Sequence, residues 1–174
     1  METAIISLIC IALVVFGGMT MAQGFLTSVD ASTTGLEVVG QRDEEILRTE
    51  ITPVSTFCDP MAGPDLLEIT VENTGQTKLA KFEEWDIIIQ YYDSSGTYHV
   101  EWLPYTGAAD TYEWEVVWIR LNGGAEIYEP DVLNPGEQML IRTYLDPSVG
   151  AGTTNMAVIS TPSGVTASTY FSPD

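Results

Sequence analysis

Positive charge is scarce in this chain. Six Lys and Arg stand against 25 Asp and Glu, giving a formal net charge of −19, and no Lys or Arg precedes Arg42. A surface of that kind repels phosphate backbones and anionic lipid headgroups alike, so nucleic acid is excluded as a partner. Cysteine is scarcer still. Cys10 lies inside an apolar run and Cys58 far outside it, which leaves no disulfide framework. His99 is the one histidine. Without a Ser or Cys nucleophile beside it no acyl-transfer set can be nominated, and with Cys58 alone it cannot complete a zinc site. The chain also lacks a Gly-rich loop opening a helix, an alternating Asp/Asn calcium loop, an N-x-Ser/Thr sequon and any internal repeat. The clusters Asp43-Glu44-Glu45, Glu83-Glu84-Asp86 and Glu113 with Glu115 read as solvated surface. The expectation is a protein that is not an enzyme and uses no cofactor or metal.

Charge of either sign is missing from Thr3 to Val29, and here the absence describes what is present. As a helix rising ~1.5 Å per residue this run is roughly 40 Å long, more than the roughly 30 Å hydrocarbon core of a bilayer. Ile5, Ile6, Leu8, Ile9, Ala12, Leu13, Val15 and Phe16 make it apolar on every side, which excludes an ordinary amphipathic surface helix. Beyond it the apolar residues thin to a stripe of Phe25, Leu26, Val29, Leu36, Val39, Ile46 and Leu47, the pattern of a helix facing one neighbour. Gly17, Gly18 and Gly24 can serve as flexible points or as places where helices approach closely; close packing is the preferred reading. A secretory signal needs a basic start, and Met1-Glu2-Thr3 has none, so the sequence reads as a mature product whose short basic leader has been removed.

After Arg48 the period changes from helical to alternating. Expected strands are 48–56, 66–72, 85–92, 97–103, 112–121, 126–128, 138–144, 155–161 and 165–171. Pro53 and the Cys58 to Pro64 segment read as breakers and loop, and Asn73-Thr74-Gly75, Asp93-Ser94-Ser95-Gly96, Asn122-Gly123-Gly124 and Asn134-Pro135-Gly136-Glu137 as turns. The fold class is therefore α+β: a long N-terminal hydrophobic helix, 1–48, followed by an antiparallel, immunoglobulin-like β-sandwich head, 49–174. Aromatic residues crowd 82–118. Most belong to a core or a subunit interface, with Trp102, Trp114 and Trp118 the candidates for a head interface.

The uncharged run, its striped continuation to about Arg48, and a head containing Leu67-Glu68-Ile69-Thr70-Val71-Glu72-Asn73-Thr74-Gly75 and Leu133-Asn134-Pro135-Gly136-Glu137 together resemble the archaellin and archaeal type IV pilin superfamily. Bacterial pilins generally carry a glutamate at the fifth mature position. Ile5 stands there in this chain and Glu2 is the only early acid, which places the resemblance on the archaellin side. It implies that a prepilin-peptidase-like enzyme removes a leader, that the helix waits in the inner membrane, and that an assembly motor platform adds subunits to an extracellular helical homopolymer used for motility or adhesion. The implied filament-core helix contacts are Ile5, Ile6, Leu8, Ile9, Ala12, Leu13, Val15, Phe16, Gly17, Gly18, Phe25, Leu26 and Val29. Two other readings stay open: a membrane-anchored accessory or stator of the same machinery whose head binds an envelope layer, and an anchored sandwich that binds glycans through Trp102, Trp114 or Trp118.

Overall fold

The computed structural model describes residues 2–60, 63–121, 123–125 and 129–173. The chain divides into two compact units, Met1–Asp43 and Glu44–Asp174. Helix α1 runs Glu2–Arg48 without interruption. A methyl group added at Gly17, Gly18, Gly24, Gly35 or Gly40 would enter open space, so no close approach within this chain calls for glycine there.

Among the described residues of the second unit, nine strands form two antiparallel sheets. In chain order they are β1 (Ile51–Asp59), β2 (Asp65–Asn73), β3 (Asp86–Tyr92), β4 (Tyr98–Leu103), β5 (Trp114–Leu121), β6 (Gly124–Ala125), β7 (Gln138–Leu145), β8 (Asn155–Ser160) and β9 (Thr166–Phe171), with a 3-10 turn at Phe82–Glu84 before β3. One sheet has the order β1-β2-β7-β5-β6 and the other β4-β3-β8-β9. The alternating side chains of β2 and β3 explain why they pack face to face. Leu67, Ile69 and Val71 on one sheet and Ile87, Ile89 and Tyr91 on the other are fully buried, while the residues between them turn outward. Trp85, Trp114 and Leu103 belong to the same core, as do Leu133, Met139, Ile141 and Ile159.

Two expectations about breakers need correction. Pro53 does not interrupt β1, and Cys58 and Asp59 belong to that strand, with Cys58 buried. β1 lies at the edge of its sheet, and its register shifts between Pro53 and Ser55. An edge bulge is where a residue without an N–H costs no ladder bond. The expected strand at 126–128 and Asn122 of the expected turn lie outside the described residues.

The two motifs quoted above for the head, 60 residues apart in sequence, meet in space. The Asn73 side-chain amide donates to the carbonyls of Thr77 and Leu133 at 2.8 and 2.9 Å, and its backbone N–H donates to the Glu137 carbonyl at 3.0 Å. Gly136, at φ 83°, returns its N–H to the Asn73 carbonyl at 2.7 Å. The same turn then holds the C-terminal end of α1, which belongs to this unit from Glu44 onward. Gln76 N–H caps the Arg48 carbonyl at 2.7 Å, and Thr74 and Gly75 N–H both reach the Glu50 carbonyl. Helix ends leave carbonyls without intrahelical partners, and this turn supplies one.

Candidate assembly surfaces

Every described side chain of α1 from Thr3 to Arg48 is exposed in the single chain, including all thirteen expected contact residues. Leu8 is 71% exposed and Phe25 70%. Each large aliphatic side chain left in water forfeits ~1.5–3 kcal/mol relative to burial, so a helix with these residues on every side requires lipid or other helices around it. Its polar residues are fitted for such surroundings. Thr20, Thr27, Ser32, Thr33 and Thr34 donate their hydroxyls to carbonyls one turn earlier at 2.9–3.0 Å, and Ser7 bonds back to Thr3. A hydroxyl satisfied by its own backbone does not need water. By length and composition the helix can cross a membrane.

The three candidate tryptophans of the head have three different environments. Trp114, expected at an interface, is instead fully buried in the core, edge-on to Tyr105 with ring centres 4.8 Å apart; it is not a surface residue. Trp118 is half-buried on the solvent side of the five-stranded sheet. The Arg120 guanidinium lies 4.5 Å from its ring centre, and it lines an open groove of about 310 Å³ with Val116, Val117, Pro130 and Asp131. Trp102 is 57% exposed on β4, and its indole N–H donates to Asp86 Oδ1 at 2.9 Å.

His99 is half-buried on β4. It stacks on Tyr91, ring centres 5.0 Å apart, and its Nε2 lies 3.0 Å from Asp93 Oδ2. The other oxygen of Asp93 accepts from the Ser95 and Thr97 backbone N–H groups and from the Ser95 hydroxyl, which closes the β3–β4 hairpin around Gly96 at φ 83°. The His99 ring, with Ser95 next, holds the Asp93 carboxyl well below the usual carboxylate range. Burial pushes the Tyr91 phenol far above its own usual range, and its hydroxyl contacts that of Tyr112 at 3.3 Å. These contacts make a built support for the β3–β4 hairpin. Among the described residues no group of three or more His, Cys, Asp or Glu is placed to hold a metal ion.

Chains of similar fold are found among solved structures. A chain of the archaeal flagellum of Methanospirillum hungatei strain JF1 is similar with a TM-score of 0.61 at 11% identity, over 97% of this chain and 91% of that one. The fold is that of archaellum components. FlaG, an archaellum periplasmic stator protein of Sulfolobus acidocaldarius, is similar with a TM-score of 0.50 at 17% identity, over 71% of this chain and 99% of its own. A chain of the FlaF and FlaG stator complex from the same organism gives the same score and identity, covering 89% of that chain. No protein-family model and no curated protein matches the sequence. What is shared with these archaellum components is a fold at low identity, and they are structural parts rather than enzymes.

Sequence reasoning named Trp102 but passed over Tyr98, Val100 and Tyr170, which are also strongly exposed. The signal was the alternation Tyr98-His99-Val100-Glu101-Trp102. It divides β4 into an apolar and a polar side without saying which one faces the core.

Proposed function

We propose that this chain is a structural, non-enzymatic subunit of an extracellular helical filament of the archaellum type, used for motility. The observation that carries the reading is α1 itself: apolar on all sides through Val29, exposed throughout, and with six hydroxyls satisfied by its own backbone. Such a helix is stable in lipid, and equally stable in a bundle of its own copies. Repetition of one heterologous contact turns that bundle into an open filament. Similarity to a chain of an archaeal flagellum over 97% of this chain supports this, because coverage that wide has to include most of α1.

On this reading Ile5, Ile6, Leu8, Ile9, Ala12, Leu13, Val15, Phe16, Gly17, Gly18, Phe25, Leu26 and Val29 pack against neighbouring copies. The glycines are the points of closest approach. The inner membrane holds the helix before assembly, and a prepilin-peptidase-like enzyme and a motor platform act on the chain there. The head, residues 49–174, stays in water, where its carboxylates keep it soluble.

Electron microscopy of fibres sheared from the cell surface, with mass spectrometry of their subunits, tests the reading. Filaments built of this chain are expected. The similarity to the FlaF and FlaG stator proteins favours a second reading, a membrane-anchored accessory of the same machinery. Retention of the chain in the membrane fraction, with no copy in the fibres, would select that alternative.

A further inference from the structure

The two outer faces of the sandwich carry opposite chemistry. On the five-stranded sheet, Glu68, Arg142 and Glu115 form one row across β2, β7 and β5, with Arg142 at 2.7 Å from Glu68 and 3.7 Å from Glu115. Glu72 and Arg120 flank Gln138 in another row of the same sheet. The four-stranded sheet presents exposed Tyr98, Val100 and Trp102 from β4, Tyr92 from β3 and Tyr170 from β9. Ile88 pairs with Trp102 on one side and Val158 on the other, so an apolar row crosses three strands. Among the described strand positions on this face Asp86 is the one charged residue, and its carboxylate accepts the Trp102 indole N–H. In a chain of net charge −19, an aromatic face with a single carboxylate stands apart.

β4 is oriented at the expense of ordinary patterning. His99 and Glu101 sit on the same side as buried Tyr91 and Ile89, their register partners, while Tyr98, Val100 and Trp102 face water. The exposed rings are also held in place. Tyr98 donates its hydroxyl to Gln90 at 2.7 Å and contacts the Tyr92 ring at 5.1 Å between centres, and Trp102 is tied to Asp86. Aromatic side chains fixed before binding lose little entropy on contact and are typical anchors of interfaces.

We infer that this face is where the head meets the head of a second copy of this chain. The inference rests on the filament reading and adds the contact that the heads make. Charge selects the occupant. A cationic partner is drawn to the carboxylates elsewhere, an anionic one is repelled by them, and two copies of −19 approach at least cost where one of the faces carries a single carboxylate, Asp86, already bonded to Trp102. A glycan needs free hydrogen-bonding groups beside the rings. Here the Asp86 and Gln90 oxygens nearest to them are engaged by Trp102 and Tyr98. Area sets the strength. Four strands ~4.8 Å apart and six or seven residues long cover only a few hundred Å², less than the ~800 Å² per partner of a stable free-standing complex. The contact therefore acts between copies already gathered by their helices, where effective concentration is high. In a filament whose subunits share one direction, it meets a different surface of its neighbour.

A photo-reactive phenylalanine analogue placed at Val100 of the full chain, in cells, tests this. Illumination is expected to give a covalent adduct of two copies, and Trp102→Glu in the same chain is expected to reduce that adduct at least about tenfold, as for loss of an anchoring aromatic. Protease resistance of the head checks that the variant is folded; Val100→Glu, with the analogue moved to Tyr98, repeats the test if it is not. An adduct with any other macromolecule, or none, overturns the contact. Micrographs of the fibres separate this outcome from failure of the filament reading. Filaments without the two-copy adduct remove the contact alone, and the adduct without filaments removes the filament alone.

Discussion

Leu13→Asp examines the proposed role of α1 most directly. Leu13 is 66% exposed in the single chain and lies near the middle of the uncharged run, within ~5 Å of its centre along the helix axis at ~1.5 Å per residue. At such a depth Leu is favourable by ~0.3–0.6 kcal/mol and Asp unfavourable by ~2.5–3.5 kcal/mol, a difference of about 3–4 kcal/mol per copy. That corresponds to roughly 200- to 1,000-fold in the equilibrium for placing each subunit among apolar neighbours. Every added copy bears the penalty, so elongation should stop. The assay is the yield and length of sheared surface fibres, normalised to the amount of chain in the membrane fraction. Two controls isolate the cause: Leu13→Ile keeps the apolar contact, and Leu121→Asp adds the same charge at an exposed head position. Both should assemble. Fibres of normal length and yield made of the Leu13→Asp chain would refute the burial of this helix among its copies.

Three further outcomes follow from the head. A methyl group at Gly75 would sit 2.5 Å from the Glu50 nitrogen and 2.6 Å from the Arg48 oxygen, both backbone atoms, so Gly75→Ala should cost ~1–3 kcal/mol and lower the melting temperature of the head by several degrees; an unchanged melt would sink the proposed close approach. Trp114→Ala empties a fully buried site and should cost ~3–5 kcal/mol, whereas Trp102→Ala should leave the melt nearly unchanged; equal effects in calorimetry would contradict their placement. Asp93 has a depressed folded-state pKa, so its contribution is fully present above the unfolded value of about 3.9 and is lost as pH falls from there toward the lower folded value. Acid unfolding followed by circular dichroism below about pH 4 should thus be less steep in Asp93→Asn, and an identical slope would dismiss the hairpin carboxylate as a source of acid sensitivity.

The helix and most strands are legible in the sequence because their signals are local. The absence of charge from Thr3 to Val29 leaves one structural solution, and the alternation Leu67, Ile69, Val71 bounded by Asn73-Thr74-Gly75 leaves another. What escaped the sequence depends on register between strands. Trp114 and Trp118 are four residues apart and on a regular strand would share a face. The shift between Val116 and Trp118 in their pairing with β7 breaks that parity, so Trp114 enters the core and Trp118 turns outward beside Leu140. Pro53 was misread for a related reason, since tolerance of proline depends on β1 being an edge strand with a bulge, which is a property of the assembled sheet. The orientation of β4 belongs to the same class. Only its pairing with β3 shows that His99 and Glu101 share the inward side.

The acidity of the head, its charge-poor face and the apolar helix fit together in the proposed filament. Adhesion energy concentrated in the helices does not distinguish a correct neighbour from one displaced along the bundle, because aliphatic contacts are non-directional. Direction has to come from the heads. With a Debye length of ≈ 8 Å at physiological ionic strength, carboxylates on adjoining heads repel at contact distance but hardly beyond it. The repulsion is therefore sensitive to which faces meet. Placements that bring two carboxylate-bearing faces together are penalised, and those that use the Tyr98–Val100–Trp102 face are spared. On this view the net charge of −19 serves assembly as well as solubility: it discourages fibres from sticking side by side, and it makes the charge-poor Tyr98–Val100–Trp102 face the preferred contact between subunits held together by α1.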